Sequence, residues 1–391
     1  MLVHTGRNGN TMRRFSLAGI LVLAVSAIAS AAETSTLLER IRGVQKQGTG
    51  NVAASEALRE LAGQAPAVIP EILAAFEDAN PLATNYLRSA VETIADRAVI
   101  NDEPLPTEKL VAFVEDKTNN PQARSLAYDL LQRADEETAD RLVPEFLQDP
   151  SAELRRISVA ARIADAKKID PKAAADKAKT VYQEALSGAV DRDQVEEIVG
   201  PLKEFGVDVD LQQHFGFLTE WKIVGPFENR GGDGFATVYP PEKELDVDAE
   251  YPTEYDLEYD QPTVKWQPVS TDNDYGIVDI RKDLTNWKGS CVYATTEFFS
   301  DAPQTVQLRL GTPNAWKLWV NGEELFAREE YHRSTRMDQY RVPANFKAGR
   351  NVILLKVCQN EQTQDWAQNY QFQIRVSDGA GSAILPSASP K

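Results

Sequence analysis

The sequence predicts a multidomain all-α plus all-β protein: a helical front half followed by an antiparallel β-sandwich. Two observations carry this. All six tryptophans (Trp221, Trp266, Trp287, Trp316, Trp319 and Trp366) and nine of the 12 tyrosines lie after residue 208, whereas the stretch before it is rich in Ala, Leu and Glu. Large planar side chains suit pleated sheets, and small or straight-chain residues suit stacked helices. The apolar period also changes, from every third or fourth residue up to about Val207 to alternation from Leu218 onward.

The chain begins with a polar stretch, Arg13-Arg14, an apolar run from Leu17 to Ile28, and Ala29-Ser30-Ala31 ahead of Glu33. A charged start, a short apolar core and a small-residue cleavage site read as an export signal over 1–31, too short to span a bilayer. Met12 offers a second start, and Arg-Arg-Phe-Ser-Leu carries a twin-arginine flavour. The expected location is periplasmic or extracellular. Loss of residues 1–31 removes three arginines and no acid, taking the net charge from −17 to −20. So acidic a surface repels phosphate backbones and anionic lipid, and no second long apolar run exists, which excludes nucleic acid and a membrane span as expectations.

Residues 32–208 give a series of helices. Leu37-Leu38-Ile41-Val44, Leu87-Val91-Ile94, Leu126-Leu130-Leu131 and Leu154-Ile157-Ala160-Ile163 hold the helical period. Asn80-Pro81, Asn120-Pro121 and Asp149-Pro150 each place a capping side chain before a proline that fits a first helical turn. Residues 209–378 give strands: Val306, Leu308 and Leu310 alternate with Gln307 and Arg309, and Phe372, Ile374 and Val376 with Gln373 and Arg375. Val352–Val357 is apolar on both sides, as in a central strand, and Asn321-Gly322 closes a tight hairpin. Residues 379–391 read as a disordered tail.

Two resemblances sharpen this outline. The segment Asp149-Pro150-Ser151-Ala152-Glu153-Leu154-Arg155-Arg156-Ile157-Ser158-Val159-Ala160 resembles the second helix of a HEAT repeat, and Asn120–Leu131 is similar to a degenerate copy. That implies a HEAT-like α-solenoid, an architecture that presents a surface to protein partners; a helical array without strict repeats is the other reading. In the back half, Trp221-Lys222-Ile223-Val224-Gly225-Pro226-Phe227, Tyr239-Pro240-Pro241-Glu242, Tyr293, Leu318-Trp319-Val320-Asn321-Gly322 and Gly349-Arg350-Asn351-Val352-Ile353-Leu354-Leu355-Lys356-Val357 follow one order. In that order they resemble the galactose-binding-like jelly-roll modules of secreted bacterial proteins. The resemblance implies a non-catalytic module whose common ligand is carbohydrate.

Candidate site residues follow from chemical type. Trp316 and Trp319 occupy opposite faces of one strand, so one is core and Trp319 is the candidate platform for stacking a sugar ring. The loop Tyr331-His332-Arg333-Ser334-Thr335-Arg336 offers a ring, an imidazole and two guanidinium forks, which suit uronic acids or acidic peptides; an ordinary charged hairpin loop is the plain reading. Asp272 and Asp274, and the acidic stretch Asp246–Asp260, are weak candidates for structural calcium; otherwise no cofactor is expected. Cys291 and Cys358 form either a disulfide, as export permits, or two buried thiols. With only His214 and His332 after the signal and no nucleophile or metal motif, catalysis is not expected. The expected function is a secreted non-catalytic protein whose sandwich binds polysaccharide. The alternative is a protein-interaction scaffold of the cell envelope with a structural sandwich.

Overall fold

The computed structural model describes residues 32–252 and 263–387. The stretch expected to be an export signal (1–31), much of the acidic stretch (253–262) and the last four residues lie outside them. The described chain forms two compact units, residues up to 157 and residues from 158.

The first unit contains α1 (32–42), α2 (Asn51–Ala62), α3 (Ile69–Ala74), α4 (Pro81–Ile100), α5 (Thr107–Glu115), α6 (Pro121–Ala134), α7 (Glu136–Leu142) and the start of α8 (Ala152–Lys167). The expected caps form: Asn80 Oδ1 accepts from the N–H groups of Leu82 and Ala83, and Asn120 Oδ1 from those of Gln122 and Ala123. Leu87, Val91, Ile94, Leu126, Leu131 and Leu154 share one buried cluster, as their spacing requires. Arg124 is fully buried. Its guanidinium meets Asp149 in two bonds of 2.6 and 2.9 Å and reaches the Val114 carbonyl at 2.6 Å, while Asp149 caps Ser151 N–H at 2.8 Å. One aspartate thus starts α8 and neutralises the arginine of α6, leaving no buried charge alone.

In the second unit α9 (Ala175–Gly188), α10 (Arg192–Glu204) and α11 (Leu211–Phe215) precede the strands. These are β1 (Glu220–Glu228), β2 (Glu250–Pro252), β3 (Thr263–Lys265), β4 (Gln267–Ser270), β5 (Val278–Asp279), β6 (Ser290–Ser300), β7 (Gln304–Gly311), β8 (Ala315–Val320), β9 (Glu323–Arg328), β10 (Tyr340–Phe346), β11 (Gly349–Gln359) and β12 (Gln371–Ser377), with α12 (Pro240–Lys243) and α13 (Ile280–Asp283) between them. They pair antiparallel into a six-stranded sheet, β4-β1-β6-β11-β8-β9, a four-stranded sheet, β10-β7-β12-β5, and the pair β2-β3. The apolar strand β11 is central, and Asn321 (φ 53°) and Gly322 (φ 87°) turn the β8–β9 hairpin through left-handed backbone.

The two large sheets share one core. Ile223, Ala294, Trp316, Leu318, Ile353 and Leu355 from one meet Leu308, Val342, Phe372 and Ile374 from the other. A second apolar cluster covers part of the opposite face of the six-stranded sheet, where the chain between β1 and β4 lies over Val224, Tyr293, Trp319 and Leu354. A buried ion pair anchors that excursion: Lys356 Nζ meets Glu242 Oε1 at 2.8 Å and the Thr237 carbonyl at 2.7 Å, and Tyr293 donates its hydroxyl to the same carboxylate. Burial, then this carboxylate, push the Tyr293 phenol far above its ordinary range. Removing one partner would strand a buried charge at a cost of about 3–5 kcal/mol. The Pro-Pro-Glu turn, the strand tyrosine and the Leu-Leu-Lys-Val lysine are therefore one structural device.

Two features bear on the organisation of the chain. The compact units meet at 157/158, within α8, and α10 is fastened to the β region: the Tyr275 hydroxyl donates to Glu196 at 2.6 Å and the Arg192 guanidinium lies 3.9 Å from the centre of the Tyr275 ring. The expected disordered tail is ordered through its described part, residues 379–387. Asp378 Oδ1 closes a turn on Gly381 and Ser382, and Ile384 N–H bonds to the Val376 carbonyl at 3.0 Å.

Candidate functional site

Antiparallel pairing brings the ends of β1, β9 and β11 and the start of β6 to one end of the six-stranded sheet. The loops that leave them interlock. Gly231 N–H donates to Glu361 Oε1 at 2.6 Å, Asn229 Nδ2 to the Gln359 carbonyl at 3.0 Å and to the Tyr331 hydroxyl at 3.3 Å, and Gly289 N–H to the Asn360 carbonyl at 3.1 Å. Among the described residues the buried Asn229 Oδ1 meets no donor.

Trp366 stands in this loop cluster and is 62 % exposed. Its turn is rigid: Ala367 is buried, its N–H donates to the Gln364 carbonyl at 2.8 Å, and its own carbonyl accepts from Lys288 Nζ at 2.8 Å and Gln359 Nε2 at 3.3 Å. The indole meets the His332 ring at 89° with centroids 5.0 Å apart. His332 holds left-handed backbone (φ 62°), a conformation that costs a non-glycine residue about 1–2 kcal/mol and recurs at functional positions. Its Nε2 lies 2.7 Å from Asn360 Oδ1, which also accepts from Gln362 N–H at 3.2 Å. A doubly used acceptor leaves the proton on Nε2 and the Nδ1 lone pair open.

Of the remaining expected site residues Tyr331 joins the cluster through its hydroxyl, and the others scatter. Tyr331 is half-buried, and desolvation pushes its phenol well above the ordinary range. Trp319 does lie opposite Trp316, but only 7 % of it is exposed, beneath the β1–β4 excursion; it is no stacking platform. Arg333 is exposed, with its Nε 3.3 Å from Glu330 Oε2, and Arg328 takes the same carboxylate. Hydrogen bonding from Arg328 and the charge of both arginines hold the Glu330 carboxyl below its usual range. Arg336 is exposed on the stretch leading to β10, its carbonyl so close over Gly311 that a Cβ there would sit 2.3 Å away.

Asp272 and Asp274 are exposed on a turn whose work is packing: Tyr275 grips α10, and Gly276 (φ 62°) sits against the Phe217 ring. Among the described residues no three His, Cys, Asp or Glu side chains gather as a metal would need. Cys291 and Cys358 are free, fully buried thiols on paired positions of β6 and β11 with their sulfurs 2.8 Å apart, and burial pushes the Cys291 thiol well up.

A surface cleft of about 300 Å³ crosses the uncovered part of the six-stranded sheet. Lys222, Thr295, Glu297 and Val352 form its floor and Leu245 and Val247 a wall; Arg350 pairs with Glu297 at 2.7 Å. None of the rings lining it is open, since Trp221 points into the shared core. The loop cluster joins an open aromatic face to fixed polar groups.

Trp366 was missed in the sequence. Its signal is a lone indole inside the polar run Asn360–Gln368, where no strand or helix period would bury it. No known family model matches the chain, and no curated protein matches it. No described helix is long and apolar enough to cross a membrane.

Proposed function

We propose that this is an exported, non-catalytic glycan-binding protein: a galactose-binding-like jelly-roll sandwich holds the site, carried behind a HEAT-like helical array. The observation that carries the reading is Trp366, a large apolar ring held in water by a turn hydrogen-bonded on three sides. An exposed indole costs hydration, and rigid placement means that little entropy is lost when a ring stacks on it. The C–H face of a pyranose fits the indole, and its hydroxyls, which both donate and accept, fit His332 Nδ1 and the Asn360 amide. The Asp149–Arg124 link between α6 and α8 supports the repeat reading of the helices.

Affinity electrophoresis of the full chain through gels containing polysaccharides tests this. At least one polymer should retard the protein, and Trp366→Ala should weaken that retardation about tenfold with an unchanged melting temperature. Retardation by none, or no effect of Trp366→Ala, defeats the reading. The scaffold alternative draws on one observation, the exposed Val99 and Ile100 at the end of α4; replacing both with serine would abolish capture of a protein partner and leave glycan retardation intact.

A further inference from the structure

We infer that the Trp366 site selects uncharged sugars and rejects uronates, an inference that rests on glycan binding as the function of this site. The sequence alone suggests the opposite, because two arginines follow Tyr331-His332. In the folded protein Arg333 is engaged. Arg328 and Arg333 converge on one carboxylate, Glu330. Arg230 forks onto Glu228, with Nε 2.9 Å from Oε1, and the Lys288 ammonium is tied to the Ala367 carbonyl. Arg336, the other arginine of the loop, is exposed, and it is its backbone carbonyl that lies over Gly311 at the end of β7.

The acids outnumber them. Over residues 228–233, 288–289, 328–333 and 360–367 there are six carboxylates, Glu228, Asp233, Glu329, Glu330, Glu361 and Asp365, against four cations. The whole chain adds a net charge of −17. An incoming carboxylate meets repulsion both from these loops, within a Debye length of about 8 Å at physiological salt, and from the protein at large.

The groups beside the indole point the same way. The open Nδ1 of His332 is a lone pair, which accepts from a hydroxyl and repels a carboxylate, and Asn360 Nδ2, with no partner among the described residues, is an uncharged donor. A vicinal pair of hydroxyls satisfies both. A uronate satisfies one and opposes the other, and Glu330 already holds the guanidinium forks it would need.

The test compares neutral polysaccharides (glucan, mannan, galactan, xylan) with polyuronates (alginate, polygalacturonate) against the full chain at physiological salt. The wild-type protein is expected to bind at least one neutral polymer at least tenfold more tightly than either polyuronate. Glu330→Gln, a near-isosteric change of a half-buried side chain checked by its unaltered melting temperature, frees Arg328 and Arg333 and is expected to raise polyuronate affinity at least fivefold with neutral binding unchanged. Wild-type protein that binds polyuronate as tightly as neutral polymers, or a Glu330→Gln variant that gains nothing, overturns the selectivity and leaves glycan binding standing. Binding to no polymer overturns the function itself.

Discussion

Single side chains show where reading the sequence succeeds and where it stops. Alternation along β8 puts Trp316 and Trp319 on opposite faces, but which one meets water depends on a chain excursion about 70 residues away in sequence, and that excursion buries Trp319. His332 and Tyr331 were legible by chemical type; that Glu330 would neutralise Arg333 was not, since any loop charge can pair locally. His214 carries a prediction. It is mostly buried, with Nε2 donating to the Ala189 carbonyl at 2.9 Å, and desolvation lowers its pKa below 6.5. Burial therefore favours the neutral ring. Above pH 6.5 both folded and unfolded states hold it neutral and it sets no pH dependence. As pH falls below 6.5 the unfolded chain takes the proton first, so stability drops until the folded ring also titrates. Melting temperatures from pH 7.5 to 5 should show this fall, and His214→Gln should flatten it; a slope that survives the substitution would assign it to another group.

Among the elements, strands were easier to read than their covering. The period of two located β7 and β12, a run apolar on both sides located β11, and Asn-Gly located the β8–β9 turn, because these signals are local. The β1–β4 excursion has no period, and it is held instead by Glu242 reaching Lys356 and Tyr293 across more than 50 residues. The pairing of β6 with β11 places Cys291 directly opposite Cys358. Both thiols are fully buried, so an oxidant reaches them only before the excursion closes, and the redox state is decided while the chain folds. Protein recovered from an oxidising compartment, then denatured and alkylated, is expected to show no free thiol. A bridge closing a loop of 66 residues adds about 4 kcal/mol in the chain-entropy view, so the reduced form should melt well below the oxidised one. Two alkylated cysteines in the recovered protein would establish instead that the sulfurs stay thiols and merely pack.

For the whole molecule, the change of hydrophobic period and the compact units mark different things. Period reports which secondary structure a segment adopts, so the change falls where helices give way to strands, near residue 208. A unit is set by which segments share contacts; α10 meets the β region through Tyr275, which touches Glu196 and Arg192, and the end of α9 meets α11 through His214 and the Ala189 carbonyl. Nothing in the sequence of α10 announces this, because Arg192-Asp193-Gln194 and Asp272-Asn273-Asp274-Tyr275 both look like ordinary solvated segments. The consequence is measurable. A chain begun at residue 209 keeps every strand but leaves Tyr275 without Glu196 and Arg192 and His214 without the Ala189 carbonyl, whereas one begun at residue 158 keeps these contacts. The shorter chain is expected to be less stable by at least about 1 kcal/mol, or some 2–4 °C in melting temperature for a domain of this size. It should also be cut by protease around Asp272–Gly276, a turn otherwise pinned between Gln212 and α10. Equal melting of the two chains would return the boundary to residue 208 and make α9 and α10 part of the helical array.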